Sequence, residues 1–151
     1  MFEALVDFAD TLMASLVVGA MFGVWLLFNP SGLDGPTYLV LHQRGIRRLN
    51  RPLPALGAAT LLLTILAAAL AHGDRLRGLL LGGAAIGFLG AGLITRFLNQ
   101  PINRVVMTWS TEALPSDWTR FRDRWWHHHI ARLACGIAGL CAVILADLVI
   151  R

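Results

Sequence analysis

The sequence predicts an all-α integral membrane protein, a four-helix bundle that forms one domain over residues 1–151. Of the 151 residues, 56% are hydrophobic and only 15% are charged, whereas about a quarter are charged in a typical soluble domain. The apolar residues are gathered into four runs, each long enough to cross a hydrocarbon core about 30 Å thick as a helix. These predicted spans are residues 11–28, 53–71, 78–95 and 133–150.

The first span is preceded by carboxylates and not by the basic residues of a secretory signal, so we expect it to stay in the mature protein. Glu3, Asp7 and Asp10 share one helical face. They could bind a cation, remain solvated, or pair with Arg75 and Arg77 on the same side of the membrane.

The fourth span holds the other unusual side chains of the apolar runs. Asp147 is the only acidic residue within the four predicted spans, and no span contains an arginine or a lysine. Cys135 and Cys141 lie on different faces of one helix and cannot bridge each other. We expect both thiols to be buried as small hydrophobic side chains.

All thirteen basic residues are arginines, and most of them flank the spans. Ten lie in two polar segments, residues 29–52 and 96–132, which share one side of a four-span protein. The positive-inside rule places these segments in the cytoplasm and both termini outside, in a bacterial cytoplasmic membrane. Because the positive charge lies beside the spans, the expected partner is the lipid bilayer and not a nucleic acid.

A short amphipathic interfacial helix is predicted between spans one and two. Asp34 and Pro36 are typical of a helix start, and Pro52 ends the segment and begins span two. Residues 37–49 would lie along the interface with their arginines toward the headgroups. Its predicted apolar anchors are Tyr38, Leu41 and Leu49.

Small residues recur at four-residue spacing in two spans. Ser15, Gly19 and Gly23 form one stripe, and Gly83 and Gly87 form another. Small residues let helix backbones approach closely in lipid. Both stripes are therefore predicted to pack inside the bundle.

The second polar segment carries the residues most typical of a site. Ser116 is a predicted N-cap of one long helix that runs into span four. On this helix five side chains follow a 4-3-4-3 spacing and fall within an arc of about 80°, and Gly136 continues the stripe toward a neighbouring helix. The five are Trp118, Arg122, Trp125, His129 and Arg132.

Two interpretations of this stripe remain open. It can be a pocket at the membrane boundary, where Trp and Arg hold a planar ligand and His129 moves protons or binds a metal. It can equally be an interfacial belt, because Trp, His and Arg all favour the headgroup zone. An iron site of two histidines and one carboxylate would need an acid near His42 and His129. The clear candidates on that side are Glu112, Asp117 and Asp123.

Several of these residues together resemble a known family. The stretch Asn99-Gln100-Pro101-Ile102-Asn103-Arg104, followed by Trp109, Trp118, Arg122-Asp123-Arg124-Trp125, His129 and Arg132, resembles the anthrone oxygenases, small four-helix membrane proteins with many bacterial members. Tyr38, His42 and Gln43, with Pro52 and Pro54 after them, are similar to a form seen among the bacterial members.

The resemblance implies a monooxygenase that oxidises the activated methylene of an anthrone-like, lipophilic aromatic to a quinone carbonyl. Deprotonation would give an electron-rich enolate that reacts with dioxygen as co-substrate, with no cofactor or else with iron, copper or haem. His129 would be the base, Arg132 or Arg104 would stabilise the phenolate, and Asn103 would orient the substrate. His42 would be a second proton-handling group or, like His129, a metal ligand. The expected substrate-binding residues are Trp118, Trp125, Arg122, Gln43 and Trp109.

Other functions are also compatible with the sequence. The protein can be a non-enzymatic membrane protein that binds a small molecule or metal, or an accessory subunit of a larger membrane complex. A transporter or channel is less favoured, because its spans would need more ionisable residues than Asp147. The bundle could still form a homo-oligomer around a central pore.

Overall fold

The computed structural model describes residues 1–149, and within that range the chain is helical from end to end apart from short connections. Four of its helical stretches are long and apolar enough to cross a membrane, which confirms the predicted fold class. Residue 150, the end of the fourth predicted span, lies outside the described residues. The helices are α1 (Phe2–Leu27), α2 (Gly35–Leu49), α3 (Pro52–Leu70), α4 (Arg75–Ile94), α5 (Gln100–Val106) and α6 (Trp118–Val149).

The bundle core lies between α1, α3, α4 and α6, and α4 crosses α6 at very close range. A Cβ added to Gly87 would stand 2.9 Å from the carbonyl oxygen of Cys135 and 3.2 Å from the Cα of Gly139. Gly136 is packed against Met21 of α1. The predicted packing role is therefore confirmed for Gly87 and for Gly136.

The other small residues do not contribute to packing inside the bundle. A Cβ at Gly19, Gly23 or Gly83 would meet nothing within 4 Å, and Ser15 is exposed. The prediction that both stripes pack inside the bundle is wrong for these positions. The spacing defines a face of a helix, but the α1 stripe faces outward while the neighbouring Val17, Val18 and Met21 face the core.

The interfacial helix α2 begins as predicted, but one of its anchors is not at the interface. The Asp34 carboxylate accepts a hydrogen bond from the N–H of Thr37 at 3.0 Å. Tyr38 is completely buried inside the protein, so its predicted role as a membrane anchor is wrong. Its ring packs against Phe28, the residue that follows α1, and against Trp118, the first residue of α6.

The third span is longer than predicted, because α4 continues through a π-helical turn (Thr95–Asn99) into α5. The N–H of Gln100 donates to the carbonyl of Thr95, five residues earlier. The wider turn immediately precedes Pro101, which has no N–H and whose ring would crowd the carbonyl four residues before it in a regular helix. Part of the predicted polar segment is therefore helical.

The start of α6 and the acidic face of α1 are close to expectation. The long helix begins at Trp118, so Asp117 and not the predicted N-cap Ser116 stands directly before its first residue. Asp7 pairs with Arg77 at 2.6 Å, which confirms one of the predicted pairings. The acidic residue in span four, Asp147, accepts a hydrogen bond from Thr11 at 2.6 Å.

The two thiols are free, as expected, but they are less buried than predicted. Cys135 is half-buried beside Gly90, and Cys141 is exposed on the outer face of α6. The outer faces of the bundle carry many other exposed apolar side chains, as a helix in contact with lipid requires.

The crossing of α4 with α6 yields a prediction about stability. Gly87→Ala should lower the free energy of unfolding by about 1–3 kcal/mol, because the added methyl group collides with the α6 backbone. Gly83→Ala, on the same helix with open space around it, is the matched control and should leave stability unchanged or slightly higher. Denaturant titration in detergent measures both, and equal effects would contradict the close crossing.

Candidate functional site

A cavity of about 540 Å³ opens among the helices on the side of α2 and α5, within the range of small-molecule sites. Its deeper wall is apolar and comes mainly from α1, α3 and α4, with Val17, Met21, Leu61 and Phe88 among the lining residues. Polar side chains cover one end only. They are His42, Asn50, Thr95, Arg96, Gln100, Asn103 and Arg132.

His42 lies on α2 at the polar end of the cavity, is almost fully buried, and has a neighbour at each ring nitrogen. Nδ1 lies 2.8 Å from Tyr38 Oη, and Nε2 lies 3.3 Å from Asn103 Oδ1. A neutral imidazole carries one proton, and because the amide oxygen of Asn103 can only accept, Nε2–H donates to Asn103 while the Tyr38 hydroxyl donates to Nδ1. Nε2 becomes a base at the cavity only when the proton moves to Nδ1 and is donated to the Tyr38 oxygen.

Burial lowers the pKa of His42 to about 4; the hydrogen bond that His42 donates to Asn103 opposes this shift, and the positive charge of Arg132 adds to it. His42 is therefore neutral at pH 7 and able to accept a proton. Burial also raises the pKa of Tyr38, so its hydroxyl keeps its proton and remains a hydrogen-bond partner for His42.

Arg132 lies on α6, is 8% exposed and lines the same cavity. Its Nε and Nη2 lie 3.1 and 2.9 Å from Nδ1 of His129. Its Nη1 is 3.5 Å from the Thr95 hydroxyl, and the guanidinium carbon stands 6.0 Å from the centre of the Trp125 ring. Because guanidinium only donates, Nδ1 of His129 must be an acceptor, so His129 is neutral with its proton on Nε2.

His129 is completely buried behind Arg132 and is not among the residues that line the cavity. Its ring stacks on Trp125 and Trp126, with centroids 5.4 and 5.5 Å apart. The predicted face of α6 is real, but this position does not suit the predicted role of His129 as the base that touches the substrate. Its observed contact is with the guanidinium.

Two asparagines connect the π-helical turn and α5 to their neighbours. The side-chain amide of Asn99 donates to the backbone carbonyl of Trp125 at 3.2 Å. The amide of Asn103 donates to Asn50 Oδ1 at 3.1 Å. Asn103 therefore lies in the cavity beside His42, as its predicted role in orienting substrate requires.

Most of the other predicted binding residues lie outside the cavity. Gln43 donates to the carbonyls of Val106 and Trp109, at 3.0 and 3.1 Å, and so joins α2 to the end of α5. Trp118 packs on Tyr38, with Arg122 over its ring at 5.1 Å.

Trp109 and Arg104 also lie outside the cavity. Trp109 packs edge-on against Phe121, and Arg104 is exposed. The prediction that Arg104 stabilises the phenolate therefore does not fit its position. Of the predicted substrate-binding set, Trp125 alone is among the cavity-lining residues.

Sequence reasoning missed several cavity residues. Asn50, Thr95 and Arg96 line the polar end, yet none of them belongs to the stripe on α6. Gln100 lies within the stretch that carried the family resemblance, which is the one signal that pointed to it. Asn50 and Thr95 follow no periodic pattern that would single them out.

The residues of the site do not fit a metal centre held by His42 and His129. Within residues 1–149 there is no group of three or more His, Cys, Asp or Glu side chains that could hold a metal ion. Both nitrogens of His42 have protein neighbours, and Nδ1 of His129 faces a cation. His42 and His129 are therefore unsuited to act together as metal ligands.

Comparison with known proteins agrees with the resemblance. The model of the family described as anthrone oxygenase matches residues 43–142, two thirds of the chain. No curated protein and no solved structure matches. The matched region contains Asn103, Trp125, His129 and Arg132, and it begins one residue after His42. The chain belongs to the anthrone oxygenase family.

Proposed function

We propose that this protein is a membrane oxidoreductase, an oxygen-dependent monooxygenase that acts on a lipophilic, anthrone-like aromatic. The observation that carries the proposal is that neutral His42 and cationic Arg132 both line the polar end of an otherwise apolar cavity. Family membership supports the class of reaction. A shared family does not fix the substrate, so the chemistry rests on these side chains.

The aromatic rings of the substrate would occupy the apolar part of the cavity, with the oxygen-bearing edge toward Arg132 and Asn103. When the substrate displaces the Asn103 oxygen from Nε2 and the imidazole proton moves to Nδ1, where Tyr38 Oη accepts it, His42 Nε2 takes a proton from the activated methylene. Arg132 stabilises the negative charge that develops on the ring oxygen. This is general-base catalysis at the polar end of an otherwise apolar cavity.

The electron-rich carbanion then reacts with dioxygen at the same carbon. The resulting hydroperoxide anion regains a proton and loses water, which leaves a carbonyl where the methylene stood. Overall, one CH₂ and one O₂ become one C=O and one H₂O. The substrate supplies the electrons, so this route needs no separate reductant.

His129 has a positioning role in this scheme. Its Nδ1 accepts from two nitrogens of Arg132, and its ring is fixed between Trp125 and Trp126. His129 thus sets the direction in which the guanidinium points. The arginine distribution favours a cytoplasmic location for this end of the bundle, and we propose that substrate enters from the bilayer at that side.

His42→Gln should lower kcat for oxygen uptake with an anthrone by about 10²–10⁴-fold, because the base is lost while a polar side chain of similar reach remains. His127→Gln, at an exposed position on α6, is the matched control. Oxygen consumption by the purified protein in mild detergent gives the rates. Unchanged turnover in His42→Gln would exclude this mechanism and favour a binding protein without catalysis.

Replacing His129 should give a different pattern from replacing His42. His129→Ala should raise KM and lower kcat, because Arg132 loses its acceptor, and His129→Gln should recover part of the activity by restoring one. Neither change should abolish the acid limb of the pH profile. If His129→Ala removes that limb, His129 is the base and our assignment of His42 is incorrect.

The acidity of His42 predicts the pH dependence of kcat/KM. The neutral form is the active one, so activity is lost as the pH falls through the pKa of the folded protein. With that pKa near 4 and not at the ordinary 6.5, kcat/KM should stay level from pH 8 to about 5 and fall below it. Initial rates across this range provide the measurement, and a limb centred at 6.5 would contradict the geometry at His42.

A further inference from the structure

Arg132 is a buried cation whose protein partners are all neutral. It is 8% exposed, and its hydrogen bonds go to the neutral imidazole of His129 and the hydroxyl of Thr95. The ion pairs found within residues 1–149 involve other arginines, Arg77 with Asp7 and Arg122 with Asp123. Arg132 therefore has no carboxylate partner in the described part of the chain.

This situation is energetically unusual. Removing a charge from water is costly, and buried charges in proteins are nearly always paired with an opposite charge. The cost is highest within helices that cross a membrane, where ionisable residues usually mark a ligand path or site. The face of Trp125 at 6.0 Å offers some stabilisation, but it is weaker than that of an anion.

The guanidinium also has donors to spare. It carries five N–H groups, and its three hydrogen bonds reach only two acceptor atoms, one of them at 3.5 Å. The side chain lines the cavity, so a ligand there can approach it. A carboxylate presents two oxygens that match the fork of a guanidinium.

The other polar residues at this end of the cavity also favour an anionic ligand. Arg96 adds a second positive charge, and Gln100, Asn103 and Asn50 add amide groups that can donate. No aspartate or glutamate is among the residues that line the cavity. An anionic group would therefore meet two positive charges and no negative one.

We propose that the cavity binds its ligand as an anion, an amphiphile whose carboxylate or ionised phenol is the missing counter-ion of Arg132 and whose apolar body lies among α1, α3 and α4. This inference rests on the proposed function and narrows its substrate class to acidic aromatics. The aromatic body is favoured because three aromatic rings line the cavity: Trp125, 6.0 Å from the guanidinium carbon, and Phe28 and His42, which pack against Trp125. The charge is present on the ligand before any reaction takes place, so Arg132 binds this anion first and then also faces the further charge that develops on the ring oxygen during proton removal.

The test compares an acid with its neutral ester. Anthracene-2-carboxylate and its methyl ester are titrated against the full-length protein in mild detergent, with binding measured by equilibrium dialysis and protein-free micelles as blank. The wild type should bind the acid about tenfold more tightly than the ester, or better. Equal affinity for the two would overturn the proposal.

Two variants locate the effect. In Arg132→Gln the preference for the acid should fall to near one, while Arg104→Gln, which changes an exposed arginine outside the cavity, should behave as wild type. A preference that survives in Arg132→Gln would overturn the assignment to this residue. If Arg132→Gln does not fold, Arg132→Lys keeps the charge but loses the fork, and its preference should be reduced and not abolished.

A third ligand separates two sources of the same chemistry. Dodecanoate carries the carboxylate on an aliphatic chain, like a membrane fatty acid. Weaker binding of dodecanoate than of anthracene-2-carboxylate supports the aromatic class, and tighter binding overturns it. Oxygen uptake is scored separately: turnover without preference for the acid would refute this inference alone, and preference without turnover would refute the proposed oxygenase alone.

Discussion

The site depends on the close crossing of α4 and α6. Gly87 and Gly139 bring the two backbones to a distance that any larger side chain would prevent. Following the two helices from this point toward α2 and α5, Gly90 meets Cys135, then Thr95 meets Arg132, and then Asn99 meets the carbonyl of Trp125. The positions of the guanidinium and of the Trp125 ring are thus set by two glycines deep in the bundle. The same helix crossing therefore positions both the apolar wall of the cavity and its polar end.

The π-helical turn directs polar side chains from the packed helices toward the site. Its extra residue sits just before Pro101, so the helix can continue through a proline that would otherwise interrupt it. It also changes the direction of the residues that follow. Asn99 points toward α6 and Asn103 toward α2, where they bind the Trp125 carbonyl and meet the ring of His42. One turn therefore connects the helix that carries Arg132 to the helix that carries His42, the base in the proposed mechanism.

The sequence predicted the fold well, because hydrophobic length and helix-start chemistry are local properties. The four spans, the Asp34 start of α2 and the one-sided stripe on α6 needed no tertiary knowledge. The site was predicted only in part, because spacing shows which side chains share a face but not what stands in front of them. His129 and Arg132 share a face, yet the arginine reaches the cavity and the histidine lies behind it. The local pattern predicts a membrane anchor at Tyr38, because nothing in it shows that Phe28 and Trp118 cover this ring.

His42, the proposed base, and the cation Arg132 influence each other electrostatically. The charge of Arg132 contributes to the low pKa of His42, so in the free protein the imidazole is neutral but a weak base. An anion bound at Arg132 would offset that charge and remove this contribution, which makes His42 a stronger base once the ligand is in place. Burial by the ligand acts in the opposite direction, because it excludes the water that would solvate an imidazolium. A ligand that brings its own negative charge to Arg132 therefore costs His42 less basicity than a neutral ligand of the same size, so that the contact proposed to select the ligand also favours proton transfer to His42.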